Sequence, residues 1–396
     1  MVSLVLCVSL SGCATAVFDE ARSHYYAGDP VAGVAVLDQA ELEDKIPDRD
    51  ALLLYLERGL MLHRAGLFEE SAKAFVQASA YIEENQKISI SEQSRSLVSN
   101  DWSKTYLGEY SEQLLTHSYA MMSFIMAGNP ESAAVEARQA LEVIKAHSES
   151  LQADAFSQAL IALSFELAGQ YNDAYVAYRA LHEQLPNNET FAYAAFRAAQ
   201  KVASEDGIAT YRPLISDELW KSYSSGGPEA VLFISQGRGP FKRSSSIFYY
   251  DERLSFPSYV AVPQTYGSLS ISDGLGHVLP QQQLSTDTYS IASAALAERG
   301  KLVLAKSVLR GRVKHELVKN LRDDDRAAAE VLNLVFFLLE EADTRSWQSL
   351  PARLSLLRVP LAKGQKQLRV KLSGRERVLT IDPQQTQSPQ MFSLHF

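Results

Sequence analysis

Cysteine is nearly absent from this chain, because only Cys7 and Cys13 occur among its 396 residues. Two cysteines near the N-terminus cannot supply the framework of a disulfide-stabilised fold, and the rest of the chain holds no thiol for catalysis. Stability must therefore come from packing. A chain of this length can bury ordinary hydrophobic cores in two or three domains.

Several functional signatures are also missing. No apolar run approaches the roughly 20 residues that a membrane-spanning helix needs. The net charge of −9 lacks the basic footprint of a nucleic-acid-binding protein. The histidines are scattered, without a His-Glu-x-x-His motif or a pair at zinc-ligand spacing, and no P-loop or Gly-x-Ser-x-Gly elbow occurs. The sequence therefore predicts no metal, no cofactor, no nucleic-acid partner and no catalytic residues.

The N-terminus begins with a short apolar segment, Met1 to Leu10, that runs directly into Leu10-Ser11-Gly12-Cys13. This arrangement resembles the lipobox of bacterial lipoproteins, although no Lys or Arg precedes the apolar run. The resemblance implies that residues 1–13 are a lipoprotein signal segment and that Cys13 is lipidated after cleavage. Because Ala14 and not Asp follows the cysteine, it also implies the periplasmic face of the outer membrane. The alternative is an unmodified apolar N-terminus.

Residues 14–212 contain a recurrent break in helical sequence, centred on Gly28, Gly66, Gly128 and Gly169. Each break follows an apolar helical face and precedes a second helix, and this pattern resembles the tetratricopeptide repeat. The best copy runs from Tyr55 to Ala78, with Gly59 where two helices cross closely and Phe75 on the second helix. Irregular spacing indicates an insert over residues 86–110. The sequence thus predicts a mainly α fold with a repeat solenoid; the alternative is a generic helical bundle.

After Pro213 the helical period weakens, and short apolar runs bounded by Gly and Pro predict strands. The predicted strands are residues 231–235, 247–250, 259–262, 354–359 and 367–371, and the predicted helices are residues 288–299, 301–321 and 326–341. Residues 213–382 are therefore predicted to form a smaller α+β domain. The Gln- and Ser-rich residues 383–396 are predicted to be a disordered tail.

Three C-terminal motifs resemble those of a family of uncharacterised bacterial lipoproteins that carry helical repeats. They are Gly237-Arg238-Gly239-Pro240 with Lys242, the group Arg310, Arg312 and Lys314, and the run Ala342-Asp343-Thr344-Arg345-Ser346-Trp347. The resemblance covers most of the chain after Cys13. It implies a role in assembly of the cell envelope, with neighbouring lipoproteins as partners.

Five residues are the candidate partner-binding set: Arg238, Lys242, Asp343, Arg345 and Trp347. A Gly-rich basic loop could instead hold an anion with its main-chain N–H groups, although the loop lacks a P-loop ending. The run from Asp343 to Trp347 could equally be a structural corner, in which the acid caps a turn and the indole packs under the sheet.

These observations predict a non-enzymatic scaffold. Its helical repeats would bind other cell-envelope proteins, a lipid on Cys13 would hold it at the membrane, and the α+β domain would add a second contact surface. The alternative is an envelope hydrolase or glycan-acting enzyme, with its site between the two domains.

Overall fold

The computed structural model describes residues 9–92, 105–249, 252–279, 282–300 and 342–396. The N-terminal part is helical: α1 Ser9–Ala27, α2 Pro30–Leu42, α3 Ala51–Ala65, α4 Phe68–Glu92, α5 Tyr110–Met126, α6 Pro130–Ala146, α7 Ser148–Leu151, α8 Ala155–Leu167, α9 Tyr171–Gln184, α10 Glu189–Lys201, α11 Glu205–Tyr211 and α12 Asp217–Ser224. Consecutive helices pack as hairpins, namely α1/α2, α3/α4, α5/α6, α8/α9 and α10/α11. The predicted mainly helical, tetratricopeptide-like region is confirmed.

Each hairpin turns through a residue with positive φ, and in four of them it is the predicted glycine: Gly28, Gly66, Gly128 and Gly169. At Gly66, φ is 79° and the main-chain N–H donates to the carbonyl of His63 at 3.1 Å. This conformation satisfies carbonyls at the helix end and is cheap only for glycine. The fifth hairpin was not predicted because Ala203, with φ of 54°, stands at the equivalent turn.

The turns before Pro30 and Pro130 lack the aromatic residue of the other copies, yet they form similar hairpins. Each proline is the first residue of a helix, α2 or α6, where an N–H group would have no partner within the helix. Asp29 and Asn129 cap these helices, each accepting a hydrogen bond from a main-chain N–H three residues later. These two helices therefore begin at a capping residue followed by proline, whereas α4 and α9 begin at an aromatic residue.

The predicted close crossing of α3 and α4 occurs at Gly59. A Cβ atom placed on Gly59 would lie 2.8 Å from Cζ of Phe75, so the ring packs directly on the helix backbone. Ser71, which stands where the repeat usually has alanine, donates its hydroxyl to the carbonyl of Gly59 at 2.8 Å. The small residue thus lets the two helices approach until both an aromatic contact and a hydrogen bond form.

The C-terminal part contains strands and one described helix, over residues 288–300. The strands are β1 Glu229–Gln236, β2 Phe241–Tyr249, β3 Glu252–Val260, β4 Leu269–Asp273, β5 Leu284–Asp287, β6 Arg353–Pro360, β7 Gln367–Leu372, β8 Arg375–Thr380 and β9 Gln390–His395. They form a four-stranded sheet in the order β5-β6-β1-β9, a two-stranded ribbon β2-β3, and a three-stranded sheet β4-β7-β8. The predicted α+β character is confirmed.

The four-stranded sheet lies between the helices and the three-stranded sheet. Val231 and Phe233 of β1 belong to the core shared with the helices, whereas Leu232 and Ile234 belong to the core shared with the three-stranded sheet. This division follows from the alternation of side chains along a strand. On the helical side, α5 packs against β9, and α8 packs against β5 and β6. The chain's own strands therefore cover the inner face of the repeats.

The prediction of a disordered tail at residues 383–396 is wrong. Residues 390–395 form β9, which pairs in parallel with β1, and Leu394 is buried in the core between the sheets. The N–H of Phe396 donates to the carbonyl of Ser235 at 3.0 Å. A polar composition was misleading here because the hydrogen-bond partners of this strand lie far away in the sequence.

Some predicted features lie outside the described residues. These are residues 93–104 of the predicted insert, the helices predicted over 301–321 and 326–341, and with them Arg310, Arg312 and Lys314. Within the described ranges, the helices continue past the predicted boundary at residue 213, to the end of α12 at Ser224. None of the helices in those ranges combines the length and apolar character needed to cross a bilayer.

Candidate functional site

Three of the predicted partner-binding residues, Lys242, Arg345 and Trp347, are buried between the helices and the strands. Lys242 donates through Nζ to Oε1 of Glu109, the residue before α5, at 2.5 Å. Arg345 donates through Nη1 to Oδ1 of Asp50 at 2.7 Å. Both side chains therefore contact the chain's own helical part instead of presenting a surface to a partner.

Trp347 is the largest side chain in this contact. It is 1% exposed, and its indole packs against Phe75 and Tyr119 with ring centroids 5.7 and 5.5 Å apart. Its main-chain N–H donates to Oε1 of Glu112 at 2.7 Å. Asp343, which is half-buried, pairs with Arg345 at 2.7 Å. The structure thus favours the structural corner for this run of residues.

The electrostatics of this corner depend on burial. Burial alone would raise the pKa of Glu109, but the nearby Lys242 and Arg299 outweigh it and lower the pKa to about 2. Glu112 lies one helical turn later, and burial raises its pKa. The negative charge of the ionised Glu109 therefore compensates the positive charge of the buried Lys242. Glu112 instead accepts hydrogen bonds, mainly from the main-chain N–H groups of Glu109 and Trp347.

Arg238 is the predicted residue that lies elsewhere, at the edge of a cavity of about 380 Å³. The cavity forms where the ends of α1 and α3 meet the end of β1, the loop before β4, the start of β8 and the end of β9. We call it the junction cavity. The lining residues that matter most are Tyr26, Arg64, Gln236, Arg238, Tyr266 and Arg375.

Two of the three arginines of the junction cavity, Arg64 and Arg238, lie on tyrosine rings. The guanidinium carbon of Arg64 lies 4.5 Å from the ring centroid of Tyr25, and that of Arg238 lies 3.9 Å from the centroid of Tyr26. In the described part of the chain, neither these two arginines nor Arg375 makes an ion pair within 4.0 Å. No Asp or Glu side chain in the described lining therefore neutralises the arginines of the cavity.

Two glutamines complete the wall of the junction cavity. Gln264 donates through Nε2 to the carbonyl of Arg238 at 2.9 Å and accepts at Oε1 from the N–H of Arg238 at 3.0 Å, so it fixes the loop after β1. Gln236 is 5% exposed, and its Oε1 accepts no hydrogen bond from the described residues. A buried acceptor of this kind costs stability until a donor reaches it.

His395 also lines the cavity but does not add charge. Burial, and then His63, Arg64 and Arg377, lower the pKa of His395 to about 3. The imidazole is therefore neutral at neutral pH, and the arginines set the electrostatic potential of the cavity.

The junction cavity lies where the hydrolase alternative placed its active site. Its described lining contains no Asp or Glu, whereas glycoside hydrolysis commonly uses a pair of carboxylates. Among the described residues, no group of three or more His, Cys, Asp or Glu could hold a metal ion.

Sequence reasoning missed most of the cavity, including Arg64, Gln236 and Arg375. These residues come from three different strands and helices, so no local spacing connects them. The adjacent pair Tyr25-Tyr26 before a repeat turn was a partial signal, since tyrosine combines an apolar ring with a hydroxyl group and is common at binding surfaces.

No family model matches the sequence, and no curated protein matches it. Among solved structures, a MamA fragment (41-end) from Desulfovibrio magneticus RS-1 is similar at TM-score 0.35 and 12% identity, over 53% of this chain and 96% of that one. TPR-like repeats of a putative kinesin light chain from Podosopora anserina give 0.36 and 13%, over 50% and 93%. A tetratricopeptide repeat protein from Parabacteroides merdae gives 0.23 and 11%, over 50% and 77%. Likenesses this weak carry no conclusion about function.

Proposed function

We propose that this chain is a non-enzymatic scaffold, lipid-anchored through Cys13 on the periplasmic face of the outer membrane, whose helical repeats hold another protein of the cell envelope. The observation that carries the proposal is the array of helical hairpins with an exposed outer face. Stacked hairpins form extended surfaces suited to protein partners.

The partner surface proposed here is the outer face of the hairpins, because strands of the same chain cover the inner face. The second helix of each of the first four hairpins carries an exposed valine there. They are Val31 (57% exposed), Val76 (40%), Val135 (52%) and Val176 (48%). A single exposed valine is ordinary, but Val135 and Val176 stand at the same position of successive units, seven residues after the turn glycines Gly128 and Gly169, so that apolar contact repeats.

The position of Cys13 supports close attachment to the membrane. Cys13 lies within α1, and the next residue, Ala14, is 4% exposed, as is Phe18. Cleavage before Cys13 would leave the lipid next to packed residues with almost no linker. The start of α1 would then lie at the membrane surface, and two or more acyl chains would hold it there stably.

The anchor is tested by replacing each cysteine in turn. We expect Cys13→Ser to remove the protein from the outer-membrane fraction, because no thiol remains to carry the lipid. Cys7→Ser is the matched control and should leave the protein in that fraction, since Cys7 lies in the segment to be removed. Mass spectrometry of the purified wild type showing an unmodified, uncleaved N-terminus would count against the anchor.

The scaffold is tested by placing a photo-cross-linking amino acid at single exposed positions in living cells. We expect Val135 and Val176 to give an adduct with one envelope protein. Leu275, which is 85% exposed on the strand-containing part, is the control position and should give none. If neither repeat position forms an adduct with any specific protein, the repeats are not the partner surface.

A further inference from the structure

We infer that the junction cavity is a binding site for a small organic molecule carrying a phosphate group. The inference rests on the arginines of the cavity, which form no ion pair with an Asp or Glu in the described ranges, and on the size of the cavity. It does not depend on Cys13 or on a protein partner, because every residue involved belongs to the folded junction.

The charge of the cavity points to phosphate. Arg64, Arg238 and Arg375 line it, and none of them pairs with a carboxylate in the described ranges. Natural proteins seldom gather guanidinium groups without counter-charge, since like charges repel. A phosphate monoester carries a charge of about −1.5 to −2 at neutral pH and offers three acceptor oxygens, so it matches several guanidinium groups better than a single carboxylate does.

Two of the three arginines, Arg238 and Arg64, are held in place before any ligand arrives. The guanidinium group of Arg238 lies on the ring of Tyr26, and Gln264 fixes its main chain by two hydrogen bonds. Arg64 lies in the last turn of α3 on the ring of Tyr25. Side chains fixed in this way lose little conformational entropy when they bind an anion.

The size of the cavity indicates that the ligand is larger than inorganic phosphate. Tyr26 and Tyr266 also line the cavity, so part of its wall is aromatic. The volume of about 380 Å³ lies within the range of small-ligand sites.

The test uses the full-length protein in mild detergent and isothermal titration calorimetry. The probes are glucose 6-phosphate, glucose, glucuronate and inorganic phosphate. We expect glucose 6-phosphate to bind most tightly, because it offers the dianion and fills more of the cavity than inorganic phosphate does. Glucuronate is a similar sugar with a carboxylate at C6, where glucose 6-phosphate carries its phosphate ester. Comparing the two affinities therefore separates recognition of phosphate from a general preference for anions.

Two variants and one control connect binding to the cavity. Arg238→Gln and Arg375→Gln should each weaken glucose 6-phosphate binding by about tenfold or more, the usual effect of losing one charge-assisted hydrogen bond. Both side chains are exposed, so the fold should survive. Arg243→Gln removes an exposed arginine of β2 outside the cavity and should leave binding unchanged.

Several results would overturn the inference. They are the absence of binding by glucose 6-phosphate up to about 10 mM, equal affinity for glucuronate, and affinity that survives both cavity variants. Phosphatidic acid mixed into the micelle distinguishes the source of the phosphate. If phosphatidic acid competes with glucose 6-phosphate, the natural ligand is a lipid headgroup. If it does not compete, the natural ligand is a soluble molecule. In both cases the cavity recognises phosphate.

Discussion

Replacing Arg358 by Met should destabilise the protein by about 3–5 kcal/mol, because the variant leaves two buried carboxylates with only the partly exposed Arg197 as a cation. Arg358 lies in β6 and is 3% exposed. Its guanidinium group donates to Glu229 of β1 at 2.7 Å and to Glu166 of α8 at 2.6 Å. It therefore joins the four-stranded sheet to the inner face of the helices, and methionine fills similar space without the charge.

The magnitude also follows from the titration of Glu166. Burial raises its pKa, but Arg358 and then Arg197 outweigh burial and lower the pKa from the ordinary 4.5 to about 2. A shift of this size corresponds to about 3 kcal/mol of interaction with the ionised form. Because the folded-state pKa is depressed, this stability is present above pH 4.5 and is lost as the pH falls towards 2. The difference in free energy of unfolding between the wild type and Arg358→Met should therefore become smaller as the pH falls from 4.5 towards 2.

The assay is urea unfolding at neutral pH, followed by far-UV circular dichroism and tryptophan fluorescence. Arg197→Met is the matched control, because Arg197 contacts the same two carboxylates at 3.1 Å but its side chain is 37% exposed. Solvent screens such a pair, so the control should lose about 1 kcal/mol or less. Adding Glu166→Gln and Glu229→Gln to Arg358→Met should recover part of the loss.

Two results would refute this reasoning. One is a loss of stability for Arg358→Met no greater than that for Arg197→Met. The other is the absence of any recovery when the two buried carboxylates are neutralised together, which would show that their charge is not the source of the instability.

Three further changes test the packing. Gly59→Ala should cost about 1–3 kcal/mol in thermal unfolding, because the new Cβ meets the ring of Phe75, and a neutral result would show that α3 and α4 can separate freely. Deleting residues 390–396 should cause aggregation in size-exclusion chromatography, because β1 loses its parallel partner and becomes an open edge. A chain ending at Gly226 should bind a hydrophobic dye strongly, because the inner face of the repeats loses its cover; a native monomer that binds no dye would contradict a shared core.

The repeats could be predicted because their signals are local. A glycine with positive φ closes each of the first four turns, and an apolar stripe at helical spacing precedes each one. The hairpin that turns at Ala203 was missed because the local signal, glycine, is replaced there. Likewise β1 and β6 were predicted from continuous apolar runs, since both of their faces are buried.

The contacts between the helices and the strands could not be predicted from spacing. Arg358 and Glu166 are 192 residues apart in the chain, and Trp347 and Glu112 are 235 apart. A partial signal existed, because acidic residues on an otherwise apolar helical face, such as Glu112 and Glu166, require partners inside the fold. The sequence indicates that partners exist, but only the fold identifies them. The junction cavity was missed for the same reason.

The first hairpin connects the two proposals. Cys13 lies near the start of the described α1, and Tyr26 lies near its end. At 1.5 Å per residue, the helix separates these positions by about 20 Å. If a lipid on Cys13 holds the start of α1 at the membrane, the cavity at the other end stands away from the headgroups of that membrane when the helix is upright. A soluble phosphorylated ligand is then the expected occupant. Because the cavity lies between helices and strands, a ligand bound there should also stabilise the contact between them and raise the temperature of unfolding.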